Sequence, residues 1–303
     1  MQSRRRSRRN WAKYNRSLVN RRDINFWVES TAHEKFKVKD KKKRGHPFSY
    51  SNFLIMAMMT LRFQFNLPLR QTQGFFRSLL VLQGIDIQVI SYSQLCRRMK
   101  TLSLPKNLVK RGQVTDIVLD STGLKVYGSG EWCASKYGGK SKWNKLHIAM
   151  NLKTQEIILA EIGDEYEADT TYFEKALQKA NSKKGRVLMD GIADNENCYA
   201  LAKKYNKELL TPPRKGAVIR NEPVYEKRNE AIQIIKGLGG DLEARSIWGK
   251  LTGYSRRAVA RSMMSRWKRT FSGSLKSRCP QRRNVEVAFK AGMINKVISR
   301  KSG

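Results

Sequence analysis

The hydrophobic period of the chain changes near residue 105, and this change constrains the fold more than any other feature. Before that point, for example over 67–82, apolar side chains recur every three to four residues, which is the spacing of an amphipathic helix. Beyond it, the apolar residues form short runs such as 117–119 and 187–189, which are typical of buried strands. The sequence therefore predicts a helical segment followed by a mixed α/β segment.

Positive charge is concentrated at the two ends of the chain. Residues 1–45 carry 16 Lys and Arg against 4 Asp and Glu, and residues 244–303 carry 16 against 1. The net charge of the whole chain is +36, which opposes compaction unless a polyanion neutralises it. A single basic run is more often a solvated linker, and membrane phosphates attract basic segments too. Two separate cationic ends with interleaved aromatic residues favour nucleic acid, DNA or RNA, as the partner.

Composition excludes several other classes of protein. Hydrophobic residues make up 40% of the chain, which is enough for an ordered core and excludes disorder throughout. The longest apolar run, 53–59, has seven residues and is too short to cross a bilayer. The basic N-terminus lacks the apolar segment of a secretory signal, and four cysteines without a CxxC pair indicate neither a disulfide framework nor a zinc site. We expect an intracellular protein with no membrane partner.

These patterns predict three parts. We expect a basic N-terminal arm over residues 1–45 and a small helical DNA-binding domain, of helix-turn-helix size, over residues 46–104. Residues 115–303 alternate short apolar strands with helices, which predicts an α/β domain with a mixed sheet. Residues 214–250 interrupt this alternation with one helical stretch near 226–235, and we interpret them as an insertion.

Two aspartates directly follow predicted strands, Asp120 after 117–119 and Asp190 after 187–189. Ligands of open α/β sheets bind at the carboxyl ends of strands. Two carboxylates held side by side there require a divalent cation between them, which is the arrangement used for metal-assisted phosphoryl transfer. Taken singly, each aspartate is more often a turn residue, and Asp194 is an alternative to Asp190. On a strongly cationic chain, the pair favours a metal-dependent nucleic-acid site.

Long runs of residues, in a fixed order, carry a resemblance to a known family. They are LPLRQTQGF at 67–75, DSTGLKVYG at 120–128, GEW at 130–132, WNKLH at 143–147, DG at 190–191, PPRKGA at 212–217 and RNEAI at 228–232. With these runs the chain resembles bacterial insertion-sequence transposases of the DDE class, of the insertion-sequence-five type. The resemblance implies a ribonuclease-H-like fold behind a small helical DNA-binding domain. It also implies that Asp120 and Asp190 are catalytic residues that bind Mg²⁺ or Mn²⁺, with two ions expected.

In the family, the third carboxylate lies on a helix in the pattern Y-x2-R-x3-E-x6-K. The matching residues here are Tyr254, Arg257, Arg261 and Lys268, so an arginine stands where the family has glutamate. At 3.6 residues per turn these four side chains share one face of about 60°. We predict a helix over 254–271 whose opposite face packs on the sheet, and DNA-phosphate or base contacts for the four residues.

An arginine cannot replace the missing ligand, because a guanidinium has no lone pair to give to a metal and is always protonated. Arg261 therefore predicts low metal occupancy, although substrate phosphates supplying the missing oxygens, or a direct contact of Arg261 with DNA phosphate, are alternatives. No Asp or Glu lies between Glu243 and Glu286, and Glu286 is a weak candidate for the third carboxylate. His147 is interpreted as a strand residue rather than a metal ligand.

Three functional hypotheses follow. In the first, the protein cleaves transposon ends and joins the freed 3′-hydroxyl to target DNA, acting as a homodimer or higher oligomer because two ends must be brought together. In the second, which Arg261 favours, it is a non-catalytic end-binding protein or an inhibitor of active relatives. A third and weaker interpretation is a basic RNA- or ribosome-associated protein. The first two imply double-stranded DNA, as transposon ends and as target, in the bacterial cytoplasm at the nucleoid.

Overall fold

The computed structural model describes residues 10–19, 49–102, 108, 115–126, 136, 143–180 and 184–299. The chain divides into two compact units, one formed by Met1–Leu102 with Arg300–Gly303 and the other by Ser103–Ser299. Within the predicted N-terminal arm, the structure describes one helix, α1 (Trp11–Val19). Within the same arm, an apolar patch at 24–28 (Ile24, Phe26, Trp27 and Val28) predicts one short element, and this patch lies outside the described residues.

Three further helices form the described body of the first unit: α2 (Asn52–Gln64), α3 (Leu69–Leu82) and α4 (Tyr92–Arg98). Ser51 and Ser91 begin α2 and α4 by accepting the backbone N–H groups of residues three positions further on. The helices bury apolar side chains, among them Leu54, Ile55, Met58, Leu61, Phe76, Leu80 and Leu95. The helical character predicted for this part of the chain is confirmed.

One mixed sheet organises the second unit, with strands in the order β3-β2-β1-β4-β5. The strands are β1 (Ile117–Val126), β2 (Trp143–Asn151), β3 (Ile157–Gly163), β4 (Gly185–Leu188), β5 (Lys207–Leu210) and the short β6 (Ser274–Leu275). The first three strands are antiparallel neighbours, whereas β4 and β6 run parallel to β1, and β5 runs parallel to β4. The predicted fold class, a ribonuclease-H-like mixed α/β sheet, is confirmed.

Helices cover this sheet. They are α5 (Phe173–Lys179), α6 (Glu196–Lys204), α7 (Glu226–Gly237), α8 (Leu242–Leu251), α9 (Ala258–Phe271) and α10 (Pro280–Ser299). One apolar core lies between the sheet and helices α5 and α6, and it includes Ile117, Leu119, Leu159, Phe173, Ala176, Val187 and Cys198. Helix α9 contacts β1 and helix α10 contacts β3. Within the described residues, we find no helix long and apolar enough to span a membrane.

Several predicted element boundaries are wrong for physical reasons. Strand β1 does not end before Asp120, because β2 pairs with it from Ile117 to Lys125 and keeps the polar residues extended. The sequence DTT at 169–171 predicts a helix cap for a helix through residue 180. Asp169 does not cap a helix, because residues 169–172 form a 3-10 turn and the carboxylate of Asp169 binds His147 instead. The insertion contains a second helix, α8, which begins at Asp241 through a side-chain cap.

The helix predicted over 254–271 also differs. Residues 254–257 form a 3-10 turn, and the α-helix begins only at Ala258, after Gly253 has turned the chain with a left-handed φ of 79°. Since residues three apart eclipse each other in a 3-10 turn, Tyr254 and Arg257 still share one face. The opposite face packs inward as predicted, through Ala260, Met263, Met264, Trp267 and Phe271.

Candidate active site

The register of two neighbouring strands brings Asp120 and Asp190 together. Strand β1 pairs in parallel with β4, with Ile117 opposite Val187 and Val118 opposite Leu188. The same offset, continued by two residues, places Asp120 level with Asp190. Asp120 is buried, while the side chain of Asp190 is 29% exposed where the chain leaves β4. Residues 70 positions apart in sequence thus share one edge of the sheet.

Local structure directs each carboxylate. Because side chains alternate along a strand, Leu119 enters the core under α5 and α6, and Asp120 points to the opposite face of the sheet. Asp190 begins the 3-10 turn at 191–193, and its Oδ1 accepts the N–H of Ile192 at 3.2 Å. The hydroxyl of Thr211 donates to the carbonyl oxygen of Asp190. Hydrogen bonds from neighbouring groups therefore hold Asp190 in place, and the N–H of Ser121 donates to Oδ1 of Asp120 in the same way.

A guanidinium from another element lies against both carboxylates. Nη2 of Arg257 is 2.8 Å from Oδ1 of Asp120 and 3.9 Å from Oδ2 of Asp190. The side chain of Arg257 is only 14% exposed. Its Nε is buried and has no hydrogen-bond partner among the described residues. One cationic nitrogen of Arg257, Nη2, thus lies near both acidic side chains, while a second nitrogen, Nε, donates no hydrogen bond to a described residue.

The acid–base properties of this group follow from burial and charge. Burial raises the pKa of Asp120, and the like charges of Asp169 and Asp190 add to the rise, whereas Arg257 opposes it. Burial acts to lower the pKa of Arg257, but the negative charges around it, Asp120 first, leave that pKa raised. Arg257 is therefore always charged, and Asp120 is short of compensating positive charge.

Tyr254 completes the described surroundings of the two aspartates. Its ring lies 5.4 Å from the buried ring of Trp248, and its phenol interacts electrostatically with the guanidinium of Arg257. Burial raises the pKa of Tyr254, and the charges of Asp190 and Asp120 raise it further, so the phenol stays neutral. The two other residues predicted for this face, Arg261 and Lys268, lie on α9 and are exposed to solvent. Neither makes a hydrogen bond or ion pair within the part of the chain that the structure describes.

No third carboxylate joins Asp120 and Asp190 in the described part of the chain. Among those residues, no group of three or more His, Cys, Asp or Glu side chains is arranged to hold a metal. Glu286 is fully buried on α10, where it accepts the N–H groups of Lys276 and Ser277 and pairs with Lys290 at 2.6 Å. Its carboxylate is fully committed to these partners, which rules it out as the missing ligand.

Asp194, the alternative to Asp190, is committed in the same way. It is buried, and its carboxylate lies 2.7 Å from Nε of Arg228. It also accepts the hydroxyl of Tyr199 at 3.2 Å and the N–H of Arg214 at 2.9 Å. These contacts fasten the segment after β5 and helix α7 to the sheet, so Asp194 has a structural role.

A polar group that the sequence did not reveal lies on the face of the sheet opposite to Asp120, where His147 of β2 is paired with Ser121. His147 is fully buried, donates its Nδ1–H to the carboxylate of Asp169 at 2.7 Å, and stacks on Tyr172 with ring centroids 4.1 Å apart. Although burial alone would raise the pKa of Asp169, hydrogen bonds from His147 and Ser121 and the charge of Lys145 leave it lowered. The interpretation of His147 as a strand residue is confirmed. Its partner Asp169 carries no sequence signal beyond that of a helix cap.

The donor set fits a divalent ion in part. Two carboxylates at adjacent strand ends are suitable oxygen ligands for Mg²⁺ or Mn²⁺, and the contact of one cationic nitrogen with both shows that a single positive charge reaches them together. The position that would supply a third carboxylate carries Arg261 instead. The residues therefore fit one ion held by Asp120 and Asp190, and they do not fit a three-carboxylate, two-ion site.

Comparison with known families agrees with this fold. Two family models, both described as "Transposase DDE domain", match the chain, one over residues 19–129 and the other over residues 112–296. The second match covers more than half of the chain and spans the whole described sheet. The chain belongs to the DDE transposase family, whose members function in transposition and generally use divalent metal ions. No solved structure matches the chain.

Proposed function

We propose that this protein binds the terminal inverted repeats of an insertion sequence, and that it does so without the strand cleavage and joining of its family. The observation that carries the proposal is the pair Asp120 and Asp190 at adjacent strand ends, with Arg261 where the third carboxylate belongs. DNA-strand transfer in the family uses these two aspartates and a third carboxylate, and Arg261 leaves the site without that third carboxylate. The DNA partner follows from the family, and the loss of chemistry follows from the residue at position 261.

Exposed cations without neighbouring acids support DNA binding in both units. Residues 49–102 expose Arg70, Arg77, Arg97 and Lys100 and contain a single acidic residue, Asp86. Residues 244–285 contain 12 Lys and Arg and no Asp or Glu. Phosphate contacts from such surfaces position a protein on a duplex, whereas base contacts specify the sequence. We assign end recognition to the helical unit over 46–104 and backbone contacts to the basic face of α9.

The roles at the site follow from chemistry. Asp120 and Asp190 would hold the metal ion, which would supply activation of a water or hydroxyl oxygen and charge stabilisation on the phosphate. We expect Tyr254 to stack on a base or sugar, and Arg257, Arg261 and Lys268 to contact phosphate oxygens. Arg261, four positions after Arg257, adds positive charge that would oppose the binding of a second divalent ion. We therefore expect DNA to bind without being cut.

Binding is tested by selecting duplexes from a random library with the full-length protein and measuring affinity by fluorescence anisotropy at several salt concentrations. We expect one sequence family to be enriched and a steep slope of log K against log salt, at about −0.9 for each neutralised phosphate. A nearly flat slope contradicts the polyanion argument. Equal competition by structured RNA favours the RNA- or ribosome-associated alternative instead.

A second function, inhibition of active relatives, is favoured by the same residue. A protein that binds ends and assembles as a homodimer or higher oligomer, but cannot cut, occupies ends and forms inactive mixed oligomers. The unmodified protein, added to a strand-transfer reaction driven by its Arg261→Glu variant, should lower the yield in proportion to its amount. An unchanged yield at saturating additions contradicts this role.

A further inference from the structure

The guanidinium of Arg257 and a divalent ion would compete for the same two side chains. Nη2 lies 2.8 Å from Asp120 and 3.9 Å from Asp190, the two residues that fit the ion. Two cations cannot both contact the same carboxylate oxygens without strong repulsion. A metal ion that used these same oxygens of both aspartates would therefore need the side chain of Arg257 to move away.

Two features indicate what moves it. Nε of Arg257 is buried and has no hydrogen-bond partner among the described residues. The edge of the guanidinium formed by Nε and one Nη therefore does not donate two parallel hydrogen bonds to one acceptor group. A phosphate accepts that edge through two parallel hydrogen bonds, which a single carboxylate oxygen at 2.8 Å does not provide. Arg261, exposed one helical turn further along the same face, adds positive charge that attracts a phosphate to this position.

We propose that Arg257 is an internal cation that keeps metal out of the Asp120–Asp190 pair until DNA phosphate draws its guanidinium away. The inference rests on the proposed function, because it takes DNA as the ligand and the two aspartates as the metal-binding residues. It goes beyond that function by coupling the two events: DNA binding strengthens metal binding, and metal binding strengthens DNA binding by the same factor. Before DNA binds, Arg257 also screens the repulsion between the two carboxylates.

The test measures Mn²⁺ binding to the full-length protein by the loss of the free-ion electron paramagnetic resonance signal, with and without the selected duplex. Arg257→Gln removes the charge and keeps a polar side chain of similar reach. Arg256→Gln is the matched control, because Arg256 is exposed in the same 3-10 turn and contacts neither aspartate. Circular dichroism and the Mn²⁺-induced shift in Tm verify folding and report binding independently of activity.

We expect Arg257→Gln to bind Mn²⁺ about tenfold or more tightly without DNA, and Arg256→Gln to behave as the unmodified protein. The duplex should strengthen Mn²⁺ binding in the unmodified protein but not in Arg257→Gln. An Asp120→Ala change in the Arg257→Gln background should abolish the gain. Arg257→Lys, which keeps the charge, should bind Mn²⁺ without DNA as weakly as the unmodified protein.

Equal Mn²⁺ affinity of Arg257→Gln and the unmodified protein overturns the inference, provided that both are folded. So does a duplex that strengthens Mn²⁺ binding equally in both. These results are distinct from a failure of the proposed function, which would show as absent or salt-independent DNA binding in the anisotropy assay. Repeating the series with Arg261→Glu shows whether the competition persists when the third carboxylate is present.

Discussion

Replacing Lys290 with methionine should strongly destabilise the second unit, because it leaves a buried carboxylate without its cation. The side chains of Lys290 and Glu286 are 2% and 0% exposed, and Nζ lies 2.6 Å from Oε1. Burial alone would raise the pKa of Glu286, but Lys290 and the N–H groups of residues 276 and 277 leave it lowered. The carboxylate is therefore charged, and it loses its main compensation when the ammonium group is removed.

The magnitude follows from the burial of this pair. Removing one partner of a buried ion pair costs about 3–5 kcal/mol. A second unit of this size loses about 2–4 °C in Tm for each kcal/mol, so we expect a fall of about 6–20 °C. Lys175→Met is the matched control: its pair with Glu161 is equally short at 2.7 Å, but the two side chains are 53% and 37% exposed. That substitution should cost at most about 1 kcal/mol.

Differential scanning calorimetry and urea unfolding measure both variants. The double variant Glu286→Gln/Lys290→Met should be more stable than Lys290→Met alone, because it removes the unpaired charge and keeps an acceptor for a backbone N–H. Equal losses in the single and double variants would refute the reasoning, because the destabilisation would then come from packing alone. A cost in Lys175→Met as large as in Lys290→Met would refute it as well.

The pH dependence gives a further check on Glu286. Its pKa is lower in the folded than in the unfolded protein, so its contribution is complete above the unfolded value near 4.5 and is lost as pH falls through the folded value. Glu286→Gln should therefore flatten the acid side of the stability profile. An acid decline as steep as that of the unmodified protein would contradict the assignment.

Three other predictions concern separate parts of the molecule. Arg228→Met leaves its buried carboxylate partner unpaired and should cost about 3–5 kcal/mol in urea unfolding, whereas the exposed neighbour Lys227→Met should cost at most about 1 kcal/mol. Asp169→Asn removes the charge that faces His147 and should lower Tm at pH 7. The difference in Tm from the unmodified protein should shrink as pH falls through the lowered pKa of Asp169. A difference in Tm that does not depend on pH contradicts this prediction. Arg97→Gln, at an exposed position of the helical unit, should reduce the salt slope of DNA binding by about 0.9 with unchanged Tm, and an unchanged slope excludes a phosphate contact there.

The parts of the fold that depend on local burial were predictable. The apolar spacing of 67–82 and the runs at 117–119 and 187–189 reflect burial on one face of a helix or on both faces of a strand, so they locate α3, β1 and β4 directly. Asp120 and Asp190 were found in the same way, because each stands where an apolar strand meets polar residues. Their proximity follows from the parallel pairing of those strands.

What escaped prediction depends on contacts between residues that are distant in sequence. The pairing of β1 with β2 keeps Asp120 inside a strand rather than beyond its end. Asp169 binds His147 across 22 positions, so a residue with the signature of a helix cap serves another purpose. Likewise, the contact of Arg257 with Asp120 spans 137 positions. These pairs of residues come together only in the folded second unit. The hydrophobic periodicity of each segment contains no information about the distance between residues of different segments.

The central claim is that position 261 separates this protein from strand-transfer chemistry. The most direct test measures cleavage and strand transfer of a labelled transposon end, with Mg²⁺ or Mn²⁺, by the unmodified protein, Asp120→Ala, Arg261→Glu and Arg261→Glu/Asp120→Ala. Our account predicts product with Arg261→Glu alone. Cleavage by the unmodified protein that is lost in Asp120→Ala would contradict it, because another group would then complete the site.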